Sequence, residues 1–117
     1  MTREEASARY RIPVYVLEEY ERWGLRGAGN GAKQYDDADL EHLSTILTLH
    51  DIGFTAREAE VYMRLLLEQR HTEAQRLQML EEKRSAALEE IHSRERQLQR
   101  LDYLRHAIRK TQGGEKR

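Results

Sequence analysis

Cysteine is absent from the 117 residues. A disulfide framework and a thiolate metal site are therefore both excluded. No apolar run is long enough to span a membrane. The opening Met1-Thr2-Arg3-Glu4-Glu5 is acidic and polar and lacks a secretory pattern. A cytoplasmic location without membrane contact is the expectation. Catalytic patterns are missing as well: there is no Ser-His-Asp arrangement, no phosphate loop and no acid pair assignable to a cleft. No enzyme, no cofactor and no metal site is expected. Proline occurs once, at Pro13, and no glycine or proline lies between Thr72 and Gly113, so nothing there interrupts a helix.

What is present is charge. The chain is 38% hydrophobic and 35% charged, too polar for a large core and typical of helices with wide solvated faces. The length suits one compact domain with an extension. The net charge of −1 hides an asymmetry: residues 1–68 hold 8 Lys/Arg against 13 Asp/Glu, and residues 69–117 hold 12 against 8. A nucleic-acid-binding domain is expected to be basic, so the acidic first part argues against strong DNA affinity there, although a local patch can outweigh a domain's sum.

Helix starts are legible from capping signals. Thr2 with Glu5 forms one capping box, followed by a short helix near 3–9. Pro13 opens a second helix to about residue 23. Its buried stripe is Val16, Leu17, Tyr20 and Trp23, which leaves Tyr15, Glu18, Glu19 and Arg22 on the outward stripe. Gly24 suits the left-handed position after the helix. Gly27-Ala28-Gly29-Asn30-Gly31 reads as a loop with a hairpin-type turn, and Lys33-Gln34-Tyr35 as a short return strand. Asp36 or Asp37 caps a helix near 38–51 with Leu40, Leu43, Ile46, Leu47 and Leu49 on its apolar face. Gly53 ends it, and Phe54 acts as a hydrophobic staple for the box Thr55–Glu58. The helix that follows runs to about Glu68 and carries Val61, Tyr62, Leu65 and Leu66. A third box is Thr72–Gln75.

Beyond Thr72, positions 77, 80, 84, 87, 91, 94, 98, 101, 105 and 108 alternate spacings of three and four. Leu77, Leu80, Ala87, Ile91, Leu98, Leu101 and Ile108 supply the apolar ones, and Arg84, Arg94 and Arg105 the rest. This pattern predicts a coiled-coil seam, with arginine stems able to lie along it. At 1.5 Å per residue, residues 72–110 extend about 58 Å, so the narrow stripe needs a partner helix, most simply that of a second chain. Thr111 onward reads as a frayed end. The domain expectation is therefore 1–68, a dimerisation helix over 69–112, and a disordered tail over 113–117. The five histidines read as solvated surface groups.

The frame over roughly residues 4–110 resembles the MerR family of transcription regulators. Residues 5–14, EASARYRIPV, are similar to the family's first helix and turn. Leu17, Tyr20-Glu21-Arg22 and Gly24-Leu25 match its second helix. Gly31, Lys33, Tyr35-Asp36 and Asp39-Leu40 match its wing and third-helix start, and Ile52-Gly53-Phe54-Thr55 with Glu58 matches the joint before its fourth helix. The resemblance implies a mainly all-α fold: a winged helix-turn-helix domain followed by a long antiparallel coiled-coil dimerisation helix. It also implies a homodimer on double-stranded promoter DNA. No effector domain is expected. Candidate DNA contacts are Arg9, Arg11, Tyr15, Glu18, Glu19, Arg22, Lys33 and Tyr35.

The departures from the family pattern fall on the DNA face. The family commonly has a basic residue at Tyr15, threonine at Val16, arginine at Glu18, an aromatic at Glu19, glycine at Arg11 and an aromatic at Ala32. A glutamate ~5 Å from a phosphate is repelled by about 1–3 kcal/mol, so Glu18 and Glu19 in both chains of a dimer amount to roughly 3–13 kcal/mol. Specific binding typically exceeds nonspecific binding by only ~4–10 kcal/mol. A glutamate can instead accept from a cytosine amino group. Two readings stay open: a regulator with an altered DNA mode, or a MerR-fold interaction module that has lost DNA and acts through a protein partner.

Overall fold

The computed structural model describes residues 1–25 and 34–115, with side chains as far as Gly113. The described residues form five helices: α1 (Arg3–Tyr10), α2 (Val14–Trp23), α3 (Asp37–Asp51), α4 (Ala56–Leu67) and α5 (Glu73–Glu115). The chain divides into two compact units, Met1–Leu80 and Glu81–Arg117.

In the first unit the helix ends follow local chemistry. The Thr2 hydroxyl accepts from the Glu5 N–H at 3.2 Å, and Glu4 and Glu5 lie in the first turn of α1, where the helix dipole favours anions. α1 stops at Arg11, which takes a left-handed conformation (φ 55°, ψ 42°). The turn is tied back to Ser7, whose carbonyl accepts from the Ile12 N–H at 3.2 Å and whose hydroxyl donates to the Ile12 carbonyl at 2.7 Å. α2 buries Val16, Leu17, Tyr20 and Trp23, the stripe its spacing predicts. Gly24 caps it at φ 67°. Arg64, reaching from α4, donates to the Trp23 carbonyl at 2.9 Å and so satisfies one of the carbonyls that a helix end leaves open.

Asp36 and Asp39 form a complete capping box at the start of α3, as Thr55 and Glu58 do at α4. α3 buries Leu43, Ile46 and Leu49, with Leu40 and Leu47 half-buried. At the α3–α4 joint Gly53 takes φ 101°, a conformation strained for any residue with a Cβ. Phe54 is buried there and meets Tyr62 edge-on, ring centroids 5.9 Å apart. The most buried residues of α4 are Ala59 and Met63. Val61, expected on the apolar face, is exposed, and Tyr62, Leu65 and Leu66 are half-buried. The reason is rotational: a helix of this length packed on α3 buries one narrow strip, and the 59–63 row occupies it.

Further expectations change. Gln34 and Tyr35 form no strand; Tyr35 instead donates its N–H to the Met1 carbonyl at 2.6 Å. The wing loop and Lys33 lie outside the described residues. The Thr72 hydroxyl donates to the Leu65 carbonyl at 2.7 Å, so this residue fastens the end of α4 to the start of α5 as well as preceding a helix. Leu80, assigned by spacing to the dimer seam, is half-buried and packs with Met79 against the core of the first unit. In the second unit α5 continues as helix to Glu115, through the segment expected to fray.

Candidate nucleic-acid interface

The outward side of α2 is where the sequence places its conflict, and the structure divides the Glu18-Glu19 pair. Glu18 is exposed. Glu19 is not: its side chain is 12% exposed and lies 3.2 Å from Nε2 of His50 on α3. Successive helix residues differ by about 100° around the axis, so Glu19 sits beside the end of α3 while Glu18 clears it. Tyr15, one turn before Glu19, is 57% exposed, and its ring centroid is 6.4 Å from that of His50. The expectation that Glu19 faces outward with Glu18 is thus corrected by the packing of α3 on α2.

The third carboxylate of α2 is also engaged. Glu21 receives Arg3 Nε at 2.9 Å and Nη2 at 3.3 Å, a two-point contact from α1. Hydrogen bonding to Glu21, then its charge, raises the Arg3 guanidinium above its ordinary value, and the charge of Glu18 adds to this. Arg3 therefore stands within electrostatic reach of Glu18 as well. Each carboxylate on α2 has a cationic or cation-forming neighbour from another helix.

The remaining candidates separate cleanly. Arg9, Arg11 and Arg22 are exposed, and the Arg9 guanidinium lies 5.8 Å from the centroid of the neighbouring Tyr10 ring. Tyr35, proposed as a DNA contact, is 4% exposed and stacks on Tyr20 at 6.5 Å; it is a core residue, because the chain must turn inward there to begin α3. Tyr20 itself anchors a buried polar group, donating its hydroxyl to Asp39 Oδ1 at 2.6 Å and lying 2.9 Å from His42 Nδ1. His42 and His50 are therefore partly buried and bonded, unlike the solvated histidines expected; His71, His92 and His106 are exposed. Sequence reasoning missed Arg3 and His50. No local signal marks them, since their partners lie 18 and 31 residues away.

Among the described residues no group of three or more His, Cys, Asp or Glu is placed to hold a metal ion, and no described helix is long and apolar enough to cross a membrane.

The family model for the MerR HTH family of regulatory proteins matches residues 1–66, over half of the chain. The chain belongs to the MerR family. No curated protein matches it significantly. Among solved structures, one described as a MerR family transcriptional regulator from Listeria monocytogenes is similar with a TM-score of 0.65 and 23% identity, over 88% of this chain and 81% of that one. A MerR family transcriptional regulator from Bacillus thuringiensis gives a TM-score of 0.60 and 18% identity, over 87% and 93%. At these identities the likeness to the two structures is one of fold. As a MerR-family chain, the protein has an N-terminal helix-turn-helix and a long C-terminal helix, with every regular element among the described residues helical, which supports a role in transcription regulation.

Proposed function

We propose that the protein is a homodimeric regulator that binds double-stranded promoter DNA through α2. The observation that carries this reading is the compensation of the acidic face of α2. With Glu19 turned against His50, only Glu18 of the pair projects into solvent where it can oppose a phosphate. The repulsion for a dimer then falls from four glutamates to two, roughly 2–7 kcal/mol. That lies below or within the ~4–10 kcal/mol by which specific binding exceeds nonspecific binding. Exposed Arg9, Arg11 and Arg22 remain as phosphate contacts, and Lys33 is proposed as a fourth.

The second half of the reading is self-association. Along α5, Leu77, Ile91, Leu98, Leu101 and Ile108 are each more than half exposed, with Ala87 also on this exposed row. Leu104, 63% exposed, widens the row beside Arg105. Burying one such side chain contributes about 1.5–3 kcal/mol, which favours a helix partner for the row. Charge favours the antiparallel arrangement: residues 73–92 hold 3 Lys/Arg against 5 Asp/Glu, and residues 93–113 hold 6 against 2. Two antiparallel copies set the acidic half of one against the basic half of the other, whereas parallel copies set like against like.

The excess of acid over residues 1–68 supports a second reading, a MerR-fold module acting through a protein partner without DNA. Gel-shift titration at low salt, with genomic fragments that include the gene's own upstream region, separates the two. Selective binding that weakens steeply with added salt is the expected result. No binding by the wild type, with binding gained in Glu18→Arg/Glu19→Tyr, establishes the second.

A further inference from the structure

The clamp on Glu19 has a chemical requirement. His50 Nε2 lies 3.2 Å from the Glu19 carboxylate, and His50 Nδ1 lies 3.3 Å from the Phe54 carbonyl oxygen. Both neighbours are acceptors only. A neutral imidazole has a single N–H and can serve one of them; the imidazolium has two and serves both. His50 also stands in the last turn of α3, where the helix dipole favours a cation. The site is mostly out of solvent, His50 being 19% and Glu19 12% exposed at their side chains.

We propose that His50 is a positioning residue of the DNA-binding surface: as the imidazolium it clamps Glu19 to the end of α3 and keeps that carboxylate off the phosphate backbone. The proposal rests on the DNA-binding reading above and adds regulation by proton concentration to it. When His50 loses a proton, one of its two hydrogen bonds and the compensating charge go together. Glu19 is then an uncompensated anion on α2, and affinity for DNA falls. The sign is therefore tighter binding at lower pH, because the clamp needs the protonated ring.

The groups facing His50 come from α2 and from the α3–α4 joint. From α2 these are Tyr15 and Glu19, and from the α3–α4 joint the Phe54 carbonyl. Asp51, adjacent in the chain, is exposed. Glu58 of α4 accepts from the Thr55 N–H at 2.9 Å.

The test is fluorescence anisotropy with a labelled duplex carrying the gene's own upstream region, at low salt and at about pH 5.5 and 8. Wild-type affinity is expected to fall about tenfold or more on raising the pH. Glu19→Gln keeps every histidine, so its profile shows whatever the exposed histidines contribute; it is expected to be flatter and to bind at high pH as the wild type does at low pH. His50→Gln is expected to bind weakly at both. Parallel profiles for the wild type and Glu19→Gln overturn the proposal. The second readout needs no DNA. At low pH the Nε2–H proton of His50, shielded from exchange by Glu19, is expected to give an NMR signal that disappears in Glu19→Ala. A signal unaffected by the substitution overturns the clamp. Failure of all three proteins to bind DNA at either pH, with the NMR signal behaving as expected, overturns the DNA reading and leaves the clamp established.

Discussion

Arg11 occupies a backbone conformation that residues with a Cβ avoid. At φ 55° it holds the turn between α1 and α2, and the left-handed region costs such a residue roughly 1–2 kcal/mol relative to the right-handed one. Glycine avoids that penalty but loses more conformational entropy on folding. Arg11→Gly is therefore expected to stabilise the fold by about 1 kcal/mol or slightly less, read as a higher midpoint in urea unfolding, while DNA affinity falls because an exposed cation is removed. A lower midpoint means that the Arg11 side chain supports the turn in a way its exposure conceals. Residue-level roles were legible where their cause is local. Thr2, Asp36 and Thr55 accept from N–H groups three positions away, so a short window of sequence contains both partners. The Glu19–His50 and Arg3–Glu21 pairs were illegible because each joins two helices whose packing no short window specifies.

At the scale of elements, α2 is held from three sides: Arg3 of α1 grips Glu21, the end of α3 receives Glu19, and Arg64 of α4 caps the Trp23 carbonyl. The presentation of α2 thus depends on α4, which carries none of the candidate DNA contacts. Met63 is the largest fully buried side chain on α4. Met63→Ala is expected to destabilise the first unit by about 2–5 kcal/mol, seen as a loss in thermal or urea unfolding, and to weaken DNA binding in proportion to the unfolded fraction. Met63→Leu, which nearly conserves volume, is expected to lose less than about 1.5 kcal/mol. Equal losses for the two mean that the site answers to shape more than to volume. The periodicity that revealed the buried stripe of α2 failed on α4 for a physical reason. Apolar residues surround much of α4, including Val61, Tyr62, Leu65, Leu66 and Leu67. Only packing on α3 selects the 59–63 row among them.

At the scale of the whole molecule, the question is what covers α5. Leu98 and Leu101 are 58% and 52% exposed and lie in the second unit, whereas the residues of the buried core cluster all belong to the first. Leu98→Asp/Leu101→Asp therefore tests association with little effect on the helix-turn-helix. A charged group carried into an apolar seam loses solvation that no partner restores, and two such substitutions per chain place four in a dimer. The wild type is expected to sediment as a dimer at micromolar concentration and the double variant as a monomer, with the unfolding midpoint of the first unit unchanged. The charge division along α5 adds a second condition. If the antiparallel arrangement holds, fluorophores attached at position 75 of one copy and position 110 of the other give strong energy transfer, whereas labels at position 75 of both copies give little. The reverse pattern selects parallel helices. A wild-type protein that sediments as a monomer rejects the dimer in either orientation, and the exposed row on α5 then belongs to a different protein partner.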